Sequence, residues 1–205
     1  PSRPNYWHHP RQSSFNSTIL MSKRSFLREF FKANRMVGSV LPSSRFLSKK
    51  MLQPIQFATA NVIVELGPGT GVFTKELLSK MSDSCHLVVI ELNDAFYNDL
   101  QVKFQHPHLH LIHGSAGDIT SILDELKLPK ADYILSSLPL SNFPVALRNT
   151  ILEAIKGNLE AHGKLIQFQY TRGLKKLYGA HFKQVQIDYT ALNFPPAFIY
   201  TCANS

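Results

Sequence analysis

The chain has 205 residues, 44% hydrophobic and 18% charged, a length that suits one well-buried domain rather than two. No stretch approaches the roughly 20 consecutive apolar residues that a membrane-spanning helix needs. The formal charge of +8 and the pI near 9.5 favour an anionic partner, either nucleic acid or an acidic membrane surface.

The first 20 residues, PSRPNYWHHPRQSSFNSTIL, differ from the rest of the chain. They are rich in Pro, Ser and Asn, contain no acidic residue and show no sustained periodicity. We predict a disordered tail that either precedes a natural start at Met21 or was added to the protein; an organellar transit peptide is the alternative. Residues 21–205 are predicted to form a single domain.

Residues 22–37, SKRSFLREFFKANRMV, are predicted to form a basic amphipathic helix. Its apolar stripe would consist of Phe26, Leu27, Phe30 and Phe31, and its basic residues are Lys23, Arg24, Arg28, Lys32 and Arg35. Such a helix could lie in the plane of an anionic membrane surface. The alternatives are a helix packed on the domain with a solvated basic face, or contact with RNA phosphates.

From residue 61 onward, β-rich runs alternate with helical stretches, which is typical of a mostly parallel sheet covered by helices. The predicted strands are 61–66, 86–91, 108–113, 131–137, 164–170, 183–190 and 197–202. The predicted helices are 72–81, 94–105, 119–126, 144–158 and 172–178. Asn93-Asp94 is a plausible cap for the second helix, Pro144 suits the first turn of the fourth, and Gly163 should mark the fourth helix's end.

The last two predicted strands are joined by LNFPPAF, which leaves no room for a crossover helix. These strands should therefore form an antiparallel hairpin. A seven-stranded, otherwise parallel α/β sheet with a reversed last strand is the Rossmann-like architecture of class I methyltransferases. The topology thus favours that fold before any motif is considered.

The segment ELGPGTG (65–71) follows the first predicted strand and carries glycines in the spacing G-x-G-x-G. A dinucleotide fingerprint needs G-x-G-x-x-G, but Val72 stands at the position of its third glycine, and the Walker pattern is absent. Glu65 precedes the first glycine, where a carboxylate would repel phosphate but suit a cation or an ammonium group. The motif therefore indicates a ligand without phosphates.

Glu91 ends the second predicted strand, where a carboxylate can accept hydrogen bonds from both hydroxyls of a ribose. The segment GSAGD (114–118) follows the third strand, where the edge of an adenine would lie. Together with Glu65 and the glycine turn, these features predict S-adenosyl-L-methionine, which carries a sulfonium and an ammonium. The alternatives are a purely structural glycine turn and a solvated strand end at Glu91.

Three further segments resemble one family: FFKANRMVGSVLPSSRFLSKKM (30–51), SSLPLSNFP (136–144) and FQYTRG…NFPPAFIY (168–200). They are similar to parts of the bacterial phospholipid N-methyltransferases, the phosphatidylethanolamine-methylating type related to the rRNA adenine dimethylases. The resemblance covers roughly residues 24–201, and its most specific elements are VGSVLPSS (37–44) and SSLPLSNFP.

The resemblance implies a set of cofactor contacts. In VGSVLPSS they would lie near the methionine moiety: Gly38, Ser39, Pro42, Ser43 and Ser44. The other implied contacts are Glu65, Gly67, Pro68, Gly69, Gly71, Glu91, Leu92, Ser115, Ala116 and Ser137. At Ser115 the family often has an aspartate, but a hydroxyl can still hydrogen-bond to adenine.

The acceptor segment departs from the dimethylases. There the equivalent of SSLP reads N-L-P-[YF]; the Asn and main-chain carbonyls hold the target amino group, and the aromatic ring stacks on the base. Here Ser137 replaces the Asn and Leu140 the aromatic residue, and the chain stops at its last strand without a helical C-terminal domain. These departures point away from a nucleobase, and the resemblance to the phospholipid N-methyltransferases implies the amine of an aminolipid instead.

Methyl transfer needs a neutral amine aligned with the methyl group. Main-chain carbonyls around 136–138 and the hydroxyls of Ser136 and Ser137 are predicted to orient it. Tyr170 could position the headgroup or relay a proton, and Arg172 or Arg45 could pair with the lipid phosphate. No single general base is indicated.

Cys85 and Cys202 lie far apart in no metal-ligand spacing, which indicates buried free thiols and a reducing compartment. A run of histidines (His106, His108, His110, His113) has no accompanying cysteine or acid cluster, so no metal site is predicted.

The sequence therefore predicts a cytoplasmic, peripherally membrane-associated enzyme that methylates phosphatidylethanolamine or a related aminolipid and binds no nucleic acid. The alternatives are an rRNA adenine N6-methyltransferase and a membrane-associated module that binds the cofactor without turnover.

Overall fold

A computed structural model of the protein describes residues 45–193 and 195–204. The predicted tail (1–20), the predicted amphipathic helix (22–37) and the five predicted contacts in VGSVLPSS lie outside the described residues and remain predictions. The helices are α1 (Arg45–Leu52), α2 (Val72–Leu78), α3 (Asp94–Lys103), α4 (Ile119–Glu125), α5 (Val145–Gly157) and α6 (Lys175–His181). The strands are β1 (Val62–Leu66), β2 (His86–Glu91), β3 (Leu109–His113), β4 (Ala131–Ser136), β5 (Leu159–Gln169), β6 (Gln184–Thr190) and β7 (Ala197–Ala203), and short 3₁₀ turns span Ala116–Asp118 and Leu140–Asn142.

The seven strands form one sheet in the order β3-β2-β1-β4-β5-β7-β6. Neighbours from β3 to β5 pair in parallel, whereas β7 pairs antiparallel with both β5 and β6. The predicted α/β class and the reversed last strand are therefore confirmed. As a consequence, β1 to β6 all end at the same edge of the sheet, here called the carboxyl edge, and the loops at that edge can build a site.

Both faces of the sheet are covered, which explains why β1 is buried at every position rather than alternately. Val62, Val64 and Leu66 face one core that includes residues of α4, α5 and α6. Ile63 faces a second core that includes residues of α1 and α2. Asn93 caps α3 as predicted, because its Oδ1 accepts hydrogen bonds from the amides of Ala95 and Phe96.

Several boundaries differ from the sequence prediction by one to three residues, and the start of β5 differs more. Strand β5 begins at Leu159, not at 164, and its pairing with β4 has an irregularity between Ala131 and Tyr133. Gly163 lies inside this strand, where an added Cβ would stand 2.9 Å from the Ala131 carbonyl oxygen, so the glycine permits close strand contact instead of ending a helix. Helix α6 is shifted to 175–181.

Helix α1 was not predicted as a separate element. Its Leu47 and Met51 are fully buried in the second core, which places the helix against the sheet. In the described part of the chain, no helix combines the length and apolar character needed to cross a bilayer.

Candidate cofactor and acceptor site

The glycine turn joins the end of β1 to the start of α2. Gly67, Gly69 and Gly71 have φ angles of 67°, 56° and 82°, a region that favours glycine. A Cβ on Gly71 would lie 2.5 Å from Phe104 Cε2, and one on Gly67 would lie 2.9 Å from Leu138 Cδ2. A Cβ on Gly69 would meet nothing within 4 Å. The turn is thus tightly packed at its two ends and open at its centre, where a ligand can approach the backbone.

Glu65 lies on β1 just before this turn and is fully buried. Its Oε2 accepts a 2.7 Å hydrogen bond from Thr74 Oγ1 on α2, whereas its Oε1 has no donor among the described residues. Burial raises the pKa of Glu65 to about 8, the Thr74 hydrogen bond opposes the rise, and the charge of Glu91 adds to it. An unpartnered buried carboxylate oxygen is suited to a cationic or N–H-bearing ligand group.

Glu91 ends β2 and is 7% exposed. Its Oε2 accepts a 3.2 Å hydrogen bond from the Gly69 amide, and its Oε1 accepts a 2.8 Å hydrogen bond from the Asn93 amide. Burial raises the pKa of Glu91, and these backbone donors partly oppose the rise. Because the carboxylate bonds to the centre of the glycine turn, the predicted ribose ligand and the predicted glycine cradle belong to one site.

The loop after β3 completes this end of the site. The Gly114 amide donates to the Glu91 carbonyl at 3.0 Å. Ser115 is buried, and its Oγ accepts from the Gly117 amide at 3.1 Å, so the serine caps the 3₁₀ turn that begins at Ala116. Leu92 is half-buried, and its carbonyl oxygen lies 3.2 Å from His113 Nε2. The structure therefore brings the loops that carry Glu91, Leu92, Ser115 and Ala116 to the edge where the glycine turn lies.

The segment after β4 lies directly beside the glycine turn. The Ser137 amide donates to the Leu66 carbonyl at 2.9 Å, and Pro68 is buried nearby in the turn. Ser136 is fully buried and its Oγ accepts from the Leu138 amide at 3.4 Å, so its hydroxyl shapes the turn, whereas Ser137 is only half-buried. Of the two predicted serines, Ser137 is the one that a substrate can reach.

The Leu138 carbonyl is not free to orient an amine. It accepts hydrogen bonds from the Leu140 amide at 2.8 Å and from the side-chain amides of Gln167 and Gln169 at 3.0 and 2.9 Å. A carbonyl oxygen has two lone pairs, so three donors occupy it fully. The expectation that main-chain carbonyls of this whole turn hold the amine is therefore corrected at Leu138.

Tyr170 immediately follows β5 and is 40% exposed, with its ring 5.6 Å from that of Phe168 in an edge-on arrangement. Burial raises the pKa of its hydroxyl, and a hydrogen bond with Asn193 opposes the rise. Arg172 and Arg45 are both exposed. The tyrosine is thus at the carboxyl edge, as predicted, and connects the end of β5 to the β6–β7 loop.

Thr74, Gln167 and Gln169 were missed by the sequence analysis. A signal for the glutamines was present, because polar residues at 167 and 169 alternate with apolar ones in a strand covered on both faces. No comparable signal marks Thr74, whose role depends on the helix α2 standing over Glu65.

Comparisons with known proteins agree with this geometry. The family model for ribosomal RNA adenine dimethylase matches residues 30–126. The ornithine lipid N-methyltransferase of Singulisphaera acidiphila is 31% identical over 179 residues, which are 86% of this chain and 93% of that protein. The chain belongs to the family of that enzyme, within the class I methyltransferases.

Other relatives of this methyltransferase share less of its length. The ribosomal RNA small subunit methyltransferase A of Mycoplasma capricolum is 31% identical over 121 residues, and the match spans 59% of this chain but only 43% of that protein.

Solved structures confirm the fold. An O-methyltransferase from Bacillus cereus in complex with SAH superposes with a TM-score of 0.64 at 17% identity, covering 91% of this chain and 94% of that one. The precorrin-6y C5,15-methyltransferase of Geobacter metallireducens gives 0.65 at 15% identity, covering 82% and 92%.

S-adenosyl-L-methionine is the cofactor of this methyltransferase. When bound, it supplies an electrophilic methyl group on a positively charged sulfur. The site fits that molecule: two buried carboxylates, one with an unpartnered oxygen, flank a glycine turn whose centre is open. The prediction of the cofactor from ELGPGTG and Glu91 is confirmed.

The two cysteines and the cluster of His86, His108 and His110 belong to neither the cofactor site nor the acceptor segment. Cys85 and Cys202 are buried free thiols, as predicted. His86 Nδ1 lies 3.0 Å from His110 Nε2, and the His86 ring stacks on that of His108. Within the described residues, no group of three or more His, Cys, Asp or Glu side chains is arranged to hold a metal ion.

Proposed function

We propose that this methyltransferase transfers a methyl group to the amine of an aminolipid, with phosphatidylethanolamine and an ornithine lipid as the two candidate acceptors. The observation that carries the proposal is the environment of the SSLPLSNFP segment. Leu140 is fully buried and Phe143 is 4% exposed, so this segment offers no aromatic face on which a base could stack. A small amine headgroup needs no such face.

The family relationship supports the same class of acceptor. The relative that matches along most of both chains is named for N-methylation of ornithine lipid. The match to the rRNA adenine dimethylase model ends at residue 126, before the acceptor segment begins at Ser136. The match to that family model therefore covers most of the cofactor site and does not reach the acceptor segment.

Exposed apolar side chains at the carboxyl edge also support a lipid. Val145 at the start of α5, Tyr170 after β5 and Leu192 after β6 are 62%, 40% and 66% exposed. Arg172 and residues 175–176 (both Lys) are exposed next to Tyr170 and can attract an anionic headgroup or surface. We name these three apolar residues the apolar rim; together with the predicted helix at 22–37, it would place the acceptor end of the enzyme on the membrane.

The protein has mainly to position the acceptor amine and the lipid headgroup. The half-buried Ser137 orients the amine, Tyr170 lies at the same edge to position the headgroup, and Arg172 pairs with the phosphate or carboxylate of the lipid. The amine must lose its proton to solvent before it attacks, and the positive charge of the bound cofactor favours the neutral amine. We assign no single residue as the base.

A labelled-methyl assay tests the proposal. The full-length protein would receive methyl-labelled S-adenosylmethionine together with phosphatidylethanolamine vesicles, ornithine lipid vesicles or undermethylated ribosomal RNA. Label in either lipid supports the proposal, and the ratio of kcat/KM values identifies the preferred acceptor. Label in RNA alone would instead establish the adenine methyltransferase, and cofactor binding without label in any acceptor would establish a non-catalytic module.

A further inference from the structure

Two buried glutamines lie beside the acceptor turn (residues 137–141), and both donate hydrogen bonds to it. Gln167 is fully buried and Gln169 is 5% exposed. Both lie at the C-terminal end of strand β5, near the carboxyl edge. Both donate to the Leu138 carbonyl. The single hydrogen of Ser141 Oγ is directed either to Gln169 Oε1 at 3.3 Å or to Asn142 Oδ1 at 3.1 Å. The glutamines therefore hold the turn of residues 137–141 to the sheet chiefly through the Leu138 carbonyl.

The hydrogen bonding of Gln167 is incomplete. The second hydrogen of Gln167 Nε2 is donated to the Phe168 carbonyl at 2.9 Å, while Gln167 Oε1 is buried without a donor among the described residues. A buried acceptor left unpaired disfavours the folded state and offsets part of the stabilisation from the two donated hydrogen bonds. The net contribution of this amide to stability is therefore smaller than its two hydrogen bonds suggest.

The hydrogen bonds from the two glutamines determine which groups of the acceptor turn remain able to bind an acceptor. With its carbonyl saturated, Leu138 cannot bind an incoming amine, and the Ser137 amide is already donated to Leu66. Within the described residues, the Ser137 hydroxyl has no hydrogen-bond partner, and the side chain is half-buried at the surface of the turn. The group presented to an acceptor is therefore the Ser137 hydroxyl.

We propose that Gln167 and Gln169 are positioning residues that hold the acceptor turn so that Ser137, and not Leu138, receives the acceptor amine. This inference rests on the proposed function, because it assigns the way in which the acceptor is held. It makes the geometry of a turn on β4 dependent on two side chains of β5, through a single carbonyl oxygen.

The test uses Gln167→Met and Gln169→Met, singly and combined, since methionine keeps the length of the side chain and removes the donors. Gln186→Met, an exposed glutamine on β6, is the matched control. We expect the double variant to raise the KM for the aminolipid about tenfold or more, while the control leaves it unchanged. The Kd for S-adenosylhomocysteine should rise by a clearly smaller factor than the acceptor KM, because the hydrogen bonds of the glutamines go to the acceptor turn and to β5 rather than to the glycine turn.

Coupling to Ser137 separates positioning from a general structural effect. Ser137→Ala should raise the acceptor KM in the wild-type background and have little further effect in the double variant. Additive effects of the two changes, or an equal loss of acceptor and cofactor affinity, would overturn the inference.

A second measurement does not depend on the acceptor. Hydrogen exchange of the Leu140 amide, which donates to the Leu138 carbonyl, should accelerate in the double variant and not in Gln186→Met. If the wild type methylates no aminolipid, the proposed function fails while this measurement still decides whether the glutamines hold the turn. Unchanged exchange would overturn the inference whatever the acceptor.

Discussion

Glu65 lies one residue before the end of β1, Glu91 is the last residue of the adjacent parallel strand β2, and the charge of Glu91 contributes to the raised pKa of Glu65. Both carboxyl groups are buried, and the charge of Glu91 disfavours ionisation of Glu65 in the absence of a cation. Because the cofactor carries a sulfonium and an ammonium, its binding relieves this repulsion. Cofactor affinity and protonation of Glu65 should therefore be linked.

We expect binding of S-adenosylmethionine to release protons at neutral pH. The pKa of Glu65 is about 8 in the free protein, so the group is mostly protonated at pH 7, and a bound cation lowers its pKa. Calorimetry in two buffers with different ionisation enthalpies measures the release. The signal should disappear in Glu65→Gln and persist in Glu125→Gln, an exposed control. Identical heats in the two buffers for the wild type would contradict the linkage.

The glycine turn predicts different outcomes for two alanine substitutions. Gly71→Ala should destabilise the fold strongly, because its Cβ would clash with Phe104 and Leu100 and its φ is positive. Gly69→Ala meets no protein atom, so its cost is limited to about 1–2 kcal/mol of backbone strain. Its main effect should be on cofactor affinity, since the methyl group would occupy the open centre of the turn. Thermal unfolding and S-adenosylhomocysteine titration of both variants check this, and a normal cofactor Kd for folded Gly69→Ala would contradict it.

The histidine cluster at the sheet edge should make stability fall in mild acid. Burial lowers the pKa of His86 and His110 below the ordinary value of 6.5, and neighbouring imidazoles lower it further. The unfolded chain therefore binds more protons below pH 6.5, so the free energy of unfolding is highest above that pH and declines as the pH falls through it. Urea unfolding between pH 5 and 7.5 measures the slope. His86→Leu should flatten it.

The apolar rim predicts a requirement for vesicles. Val145→Asp combined with Leu192→Asp should weaken vesicle binding and activity on vesicles, because the change places charges where lipid is expected. Activity on a short-chain, water-soluble aminolipid should be retained. Val102→Asp, on the exposed face of α3, is the matched control. Equal sedimentation of the wild type, the double variant and Val102→Asp with anionic vesicles would contradict a membrane role for the apolar rim. In the same way, unchanged sedimentation of a Phe30→Asp, Phe31→Asp variant would contradict a membrane role for the predicted helix at 22–37.

Most of the fold followed from local patterns. The runs at 62–64 and 87–90 are apolar throughout, as expected for strands that are buried on both faces, and the Pro195-Pro196 loop required a hairpin. The start of β5 did not follow, because residues 159–163 include exposed polar positions and a glycine that only the contact with Ala131 explains. Helix α1 was missed because four of its eight residues are polar and its burial is decided by the sheet it packs on.

The cofactor site was predictable because carboxylates beside a glycine turn have a well-defined chemical role. Carboxylates beside a glycine turn indicated a cationic adenosyl ligand, and the cofactor is confirmed. The saturation of the Leu138 carbonyl was not predictable, because it depends on two glutamines about 30 residues away in the chain converging on one oxygen atom. Such convergence is a property of strand pairing between β4 and β5, which aligns Ser136 with Gln167.

The central claim is that the methyl group is delivered to a lipid amine. The most direct measurement is mass spectrometry of lipids recovered from vesicles that contain an aminolipid and its N-acetylated counterpart, after incubation with trideuteromethyl-labelled S-adenosylmethionine. We predict that label accumulates on the nitrogen of the free-amine lipid alone. Label in both lipids, or in neither while ribosomal RNA becomes labelled in a parallel reaction, would contradict the claim.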